Sequence, residues 1–362
     1  MQLRADAPSP RVWALLGYKA GDNTQVRSLA TALDWPWEPR RLRYRPTELL
    51  SNLCLGPTVA GIDPQGSDAL GPPWPDVVIS SGRRNEPVAR WIRAQSGDRA
   101  KLVQVGRPWA DPSRFDLVLT TPQYQVPPAD NVVTLQLPLH GVTSEKLAQA
   151  AQQWAEPLSS LPAPRIVVLV GGNSGSFLVT VDRVRQLRLA AEQIAQSSGG
   201  SLLISDSART PPAAREALFA GLEVPHHLYR WGSSAGENPY LGYLALGDRF
   251  IVTGDSVSMV AEACATGKPV YLVHPQRHPF PLSAGSEPGP DWRRAGWYGW
   301  RPLSHRLAQH LGPRRMRRDV SAFLQALVDS GRAAWLGGPE PGKPVAGSPD
   351  LALAVARVRA LF

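Results

Sequence analysis

The chain has 362 residues, a length suited to two domains of roughly 100–200 residues each, and 43% of them are hydrophobic, which allows a sizeable core and excludes a disordered chain. Its formal net charge is +9. The two cysteines, Cys54 and Cys264, stand far apart with no CxxC and no histidine at metal-ligand spacing, which argues against a disulfide framework or a zinc site and fits a reducing cytosol.

The aliphatic run Ile166–Val170 has five residues, where a bilayer span needs about 20, so no transmembrane segment is expected. Met1–Arg11 contains Asp6 and two prolines and does not read as a secretory signal. The charge is uneven. Residues 291–318 hold eight arginines against the single acid Asp291, together with Trp292, Trp297, Tyr298 and Trp300. Arginine among interfacial aromatics suits an anionic membrane surface or an anionic substrate, and it equally suits a solvated loop. No nucleic-acid-binding motif accompanies it, so no nucleic acid is expected as partner.

In chain order, Val12–Gly17 reads as an apolar strand that ends in the turn Gly17–Asn23. A helix follows from Thr24, with Val26, Leu29, Ala30 and Leu33 on one face and Asp22 or Asn23 as its N-cap. Arg40–Arg45 is a basic strand, Thr47–Leu55 a helix and Gly56–Pro75 a loop. Asp76–Ser80 leads through Ser81-Gly82-Arg83-Arg84 into a helix that presents Val88, Trp91 and Ile92, and Lys101–Val105, Phe115–Thr120 and Val132–Leu137 are further strands. After the proline-rich linker 157–164 come the strand Arg165–Val170, a helix carrying Val184, Leu187, Ala191 and Ile194, the strand Ser201–Ser205 and a helix over Pro212–Phe219. Next are the strand Phe250–Thr253, a helix stripe of Val257, Val260, Ala261 and Cys264 closed by Gly267-Lys268-Pro269, and the strand Val270–Val273. Helices near Val320–Val328 and Asp350–Phe362 follow, the last of which must dock on something. Continuous apolar strands alternating with amphipathic helices predict parallel sheets covered on both faces. The expected architecture is two tandem doubly wound α/β domains facing across a cleft. They take residues 1–156 and 165–335, with 336–362 as a Gly/Pro loop and docking helix.

Ligands of open parallel sheets bind beyond the carboxyl ends of the strands. Three such ends in the second domain carry suitable residues. Gly171, Gly172, Asn173 and Ser174 form a glycine turn whose N–H groups suit phosphate. Asp255 and Ser256 open a helix on which Ser258 and Glu262 share a face; Glu262 stands about 140° from Val257, off the buried stripe. Asp255 suits a helix cap, and Glu262 suits either ribose hydroxyls or solvent. Ser205 begins the third loop, in which Arg209 can pair with phosphate or with a carboxylate. Trp231 suits stacking on a base or anchoring its loop, and Asn238 adds an amide.

The segments Gly171–Gly175 and Thr253–Val270 resemble the donor half of GT-B glycosyltransferases, and among those the murein UDP-N-acetylglucosamine transferase. The resemblance implies a diphosphate held near Asp255 and Ser256 and a ribose held by Glu262, although Gly254-Asp255-Ser256 departs from the Ser-Gly turn of those enzymes. Over almost the whole chain, Ser80–Arg84, Gly171-Gly172, Ser207–Pro211, Asn238–Leu241 and Thr253–Val270 resemble the family of the plant elongated-mitochondria fission factor and its bacterial homologues. That family implies a glycosyltransferase-like fold, with membrane-fission adaptor activity for the plant member. The resemblance makes 1–156 the acceptor side and 165–335 the donor side. It implies a nucleotide-sugar substrate, UDP-linked first, with no cofactor required, and an envelope or lipid-linked acceptor reached from the cytoplasm, peripherally at the inner membrane face. An adaptor without catalysis and a nucleotide-sugar epimerase are the alternatives. Asp22 and His140 are the candidate catalytic bases, each with a structural alternative, and Arg83 and Arg84 are candidates for an acidic acceptor or a phosphate. The chain has no Asp-x-Asp pair, which argues against a metal-dependent transferase.

Overall fold

The computed structural model describes residues 9–45, 56–173, 177–233, 236–274, 276–277, 318–342, 346–347 and 349–362. The expected helix over Thr47–Leu55, Ser174 and the arginine–aromatic stretch up to residue 317 lie outside them. Contacts divide the described residues into two units. The first comprises those within 1–141, 312–319 and 348–362; the second comprises those within 142–311 and 320–347.

The first unit is a six-stranded parallel sheet in the order β2-β1-β3-β4-β5-β6, formed by β1 (Val12–Leu16), β2 (Trp37–Arg41), β3 (Val77–Ser81), β4 (Lys101–Val105), β5 (Leu117–Thr120) and β6 (Val132–Thr134). β1 and β3 are buried along their whole length, as apolar strands covered on both faces must be. β2 is the edge, where Trp37-Glu38-Pro39-Arg40-Arg41 mixes charge and a proline. It starts earlier than the expected Arg40–Arg45, because Val12 pairs with Trp37 and Leu16 with Arg41.

Helix α1 (Ala20–Ala32) packs Val26, Leu29 and Ala30 on one face of this sheet, and α2 (Gly82–Gln95) packs Val88, Ala89 and Ile92 on the other. Lys19, and not Asp22 or Asn23, is the N-cap residue of α1. Asn23 is withdrawn from capping because its side chain closes the preceding turn, accepting from Gly17 N at 2.9 Å and donating to Gly17 O at 2.8 Å.

The second unit has the strand order β10-β9-β7-β11-β12-β14, from β7 (Arg165–Leu169), β9 (Ser201–Ser205), β10 (His226–Tyr229), β11 (Arg249–Thr253), β12 (Val270–Val273) and β14 (Ala334–Trp335), all parallel. In sequence this is the 3-2-1-4-5-6 order of dinucleotide-binding sheets, with its reversal at β7. A separate antiparallel pair joins β8 (Phe177–Leu178) to β13 (Gln276–Arg277). Leu187 and Ala191 of α4 (Val181–Ser198) and Ala214 and Leu218 of α5 (Pro212–Phe219) share a core with β7, β9 and β11. α3 (Ser144–Ala155) belongs to this unit, and so lies outside the first domain whose expected range is 1–156. It packs on α6 (Tyr240–Leu246) so closely that a Cβ on Gly242 would lie 2.4 Å from the Trp154 ring. α7 (Val257–Ala265) follows β11, and α8 (Val320–Asp329) precedes β14. Cys264 is buried within α7, which pushes its thiol up to about 12, as suits packing and not a nucleophile.

The last helix, α9 (Pro349–Arg359), docks on the first unit and is no independent appendage. Ala354 and Val358 are fully buried against the α1 face. The Asp350 carboxylate accepts N–H bonds from Gln136 at 2.7 Å and Leu137 at 3.2 Å. Among the described residues no helix is long and apolar enough to cross a membrane.

Asp350→Ala removes the acceptor of both N–H groups. It is expected to lower the unfolding free energy of the first unit by about 2 kcal/mol, measured as a reduced urea midpoint with unchanged slope.

Candidate functional site

In the second unit, the loops that leave β7, β9 and β11 meet at the point where strand order reverses. Leu169 pairs with Ser205 on one side and with Val252 on the other, so the three strands end at one level. Gly171 N donates to Thr253 Oγ1 at 2.8 Å, and Gly172 N donates to Asp255 Oδ2 at 2.8 Å. From the other side, Thr210 Oγ1 donates to Gly171 O at 2.5 Å, and Arg209 Nη1 donates to the carbonyls of Gly172 at 3.3 Å and Asn173 at 3.2 Å. Arg209 Nη2 also lies 3.8 Å from Asp255 Oδ2. The glycines are required by this closeness: a Cβ on Gly171 would sit 2.2 Å from the Asp255 carboxylate, and one on Gly172 would sit 2.1 Å from the Arg209 backbone.

Two expectations change. Asp255 does not cap its helix: Ser256 is the N-cap residue of α7, and Asp255 is buried facing the β7 loop. Burial raises its pKa, against the Gly172 N–H, the Thr253 hydroxyl and Arg209, which lower it. The N–H groups of Gly171 and Gly172 are likewise engaged within the protein, as is that of Asn173, which donates to Arg209 O at 3.1 Å. The backbone donors at this strand end that these bonds do not consume are in the first turn of α7, which holds no acidic residue and no side-chain cap at Ser256. Ser256 is buried and Ser258 is exposed there.

Glu262 is no solvated charge. It is half-buried, and its Oε2 accepts from Tyr240 Oη at 2.5 Å. Burial raises the pKa of Glu262, partly offset by this bond, and desolvation followed by the carboxylate raises that of Tyr240. The Asn238-Pro239-Tyr240-Leu241 motif is the sequence signal that carries Tyr240. Asn238 Oδ1 accepts from Tyr240 N at 3.0 Å and so shapes the start of α6. Ser205 is buried, its hydroxyl 3.2 Å from Asp206 O. Trp231 is 50% exposed, and its backbone N–H is held by Asp206 Oδ1 at 2.5 Å, while Arg215 binds Oδ2 of the same carboxylate.

In the first unit, Asp22 lies in the first turn of α1, 3.9 Å from Lys19 Nζ, and its carboxylate faces Gly82, where a Cβ would come within 2.8 Å. Arg83 lies over the Trp109 ring at 4.8 Å and Arg84 over Tyr18 at 4.3 Å. His140 is only 4% exposed, in the segment that closes this unit, which suits packing better than contact with an acceptor hydroxyl. Among the described residues no three of His, Cys, Asp and Glu come together as a metal set.

Two doubly wound parallel sheets in tandem, the second with its strand-end loops laced together at the switch point, define the class as a tandem Rossmann-like α/β protein. Within that class the chain belongs to the mitochondrial fission ELM1 family, whose pattern matches residues 20–281. It is 34% identical over 221 residues to the mitochondrial fission protein ELM1 of Arabidopsis thaliana, covering 55% of this chain and 51%, about half, of that protein. An uncharacterised Rickettsia prowazekii (strain Madrid E) protein, RP120, is 22% identical over 299 residues, covering 73% of this chain and 83% of the other. Among solved structures, the UDP-GlcNAc 2-epimerase of Methanocaldococcus jannaschii aligns over 97% of this chain and 99% of its own with a TM-score of 0.48 and 11% identity.

Gly172→Ala is expected to cost about 1–3 kcal/mol, read as a lowered thermal midpoint. Gly71→Ala, where an added Cβ meets nothing within 4 Å, serves as the neutral control.

Proposed function

We propose that the chain is a metal-independent glycosyltransferase that takes a nucleotide-sugar, UDP-linked first, at the strand ends of the second unit. The sugar passes to an envelope or lipid-linked acceptor on the inner membrane surface. The observation that carries this reading is the meeting of the β7, β9 and β11 loops beside the first turn of α7, with Ser258 and Glu262 on one face of that helix. In this reading the turn at Ser256 and Ser258 receives the diphosphate. Gly171, Gly172, Asn173, Asp255 and Arg209 hold the loops that shape its seat, and Glu262, already bonded on one oxygen by Tyr240, offers the other to the ribose. Trp231 is the exposed ring nearest in role to a base platform.

Asp22, at the carboxyl end of β1, is the candidate base in the first unit. Without an Asp-x-Asp pair, helix N-termini and arginines carry the stabilisation of the leaving diphosphate.

A second reading, a GT-B-shaped adaptor without catalysis, is favoured by the bonds that already fill the β7 loop and by the match to a plant fission protein. A thermal-shift screen against UDP-, GDP-, CMP- and dTDP-sugars separates the two: a shift with one nucleotide class supports the transferase, and none supports the adaptor. Glu262→Ala is expected to weaken binding of the selected nucleotide-sugar about tenfold or more without unfolding the free protein. Equal affinities by calorimetry remove Glu262 from the site.

A further inference from the structure

Four cations from four separate segments gather at the carboxyl end of the first unit's sheet. Lys19 follows β1, Arg83 follows β3 and Arg107 follows β4, and these strands are successive neighbours, with β1 paired to β3 and β3 to β4. Arg318 reaches the same end from the stretch that returns to this unit late in the chain. Its Nε donates to Gln123 Oε1 at 3.0 Å, and the next residue, Asp319, donates its N–H to Gln123 O at 2.7 Å. Gln123 lies in the short turn Pro122–Tyr124 that follows β5. Arg107 lies over the Tyr124 ring at 5.9 Å, as Arg83 lies over Trp109.

These groups feel one another. The Lys19 ammonium is held below the usual lysine range first by partial desolvation and then by Arg318, Arg83 and Arg107, against Asp22. The Arg107 guanidinium is lowered first by desolvation and then by Arg318 and Arg83, with Tyr124 and Asp22 opposing. Among the described residues Asp22 is thus the carboxylate that acts on both. Two helices also begin here, α1 of 13 residues and α2 of 14, neither with a side-chain cap, and each adds the positive end of its dipole. Like charges pressed together at a partly dry sheet end raise the free energy of the empty site and lower it when an anion enters.

We propose that this end of the first unit is an anion site in its own right, built by Lys19, Arg83, Arg107 and Arg318 for the phosphate or diphosphate of a ligand, carried on a lipid headgroup or on a free molecule. It goes beyond the donor reading of the second unit and does not require it.

The test is calorimetry with inorganic pyrophosphate, alongside flotation with phosphatidylcholine vesicles with and without phosphatidic acid, on the full chain. Arg83→Gln/Arg107→Gln is expected to weaken pyrophosphate binding, vesicle binding or both at least tenfold, and Arg83→Lys/Arg107→Lys to retain most of it. Loss confined to pyrophosphate assigns a free ligand, and loss confined to vesicles assigns a headgroup. Lys19→Gln, in a residue exposed at the start of α1, keeps the test open should the double variant not fold. Binding of both probes at wild-type strength by these variants, or by none of the proteins, overturns the proposal. Glu262→Ala is expected to reduce nucleotide-sugar binding while vesicle and pyrophosphate binding persist, so failure of one assignment leaves the other standing.

Discussion

The bond from Gly172 N–H to the buried Asp255 carboxylate is the constraint on which the candidate site of the second unit depends. A carboxylate enclosed to this degree is costly unless donors surround it. Gly172 and Thr253 supply them, the Arg209 guanidinium adds its charge 3.8 Å away, and together they join three loops that are far apart in sequence. The two glycines follow from the same requirement, since any side chain there would displace either the carboxylate or the Arg209 backbone. Packing of this kind fixes the start of α7, and with it the positions of Ser258 and Glu262.

The two sheets share a principle and differ in order. Each places its first strand inside the sheet, so each has a switch point where flanking loops diverge. In the second unit those loops are closed by neutral and ionic hydrogen bonds around one acid. In the first they carry cations held on aromatic faces, with Asp22 as the local counter-charge. The chain therefore presents two chemically distinct strand ends on related scaffolds.

Much of the fold is legible in the sequence because buried parallel strands write themselves as apolar runs. β1, β3, β7, β9 and β11 each lie within two residues of their expected limits at either end. Less legible are elements whose burial comes from partners distant in sequence. α3, Ser-Glu-Lys-Leu-Ala-Gln-Ala-Ala-Gln-Gln-Trp-Ala, has only Leu147 and Trp154 as large apolar residues and is fixed by the contact of Trp154 with Gly242. β10, His-His-Leu-Tyr, is a short edge strand without an apolar run. At the candidate site, the residue types are readable but their engagements are not. Asp255 has the sequence position of a helix cap, yet it serves a loop 83 positions away, and Glu262 has the look of a surface charge until Tyr240 is placed beside it. Long-range pairing of polar groups leaves no periodic trace.

The docking of α9 on the first unit bears on how the chain matures during synthesis. The apolar face formed by Leu29, Ala30 and neighbouring strand residues receives Ala354 and Val358 only after the whole intervening stretch has left the ribosome. At roughly 5–20 residues per second, some 200 residues of delay amount to about 10–40 s. During that interval the apolar face of the nascent first unit waits for the helix that completes it.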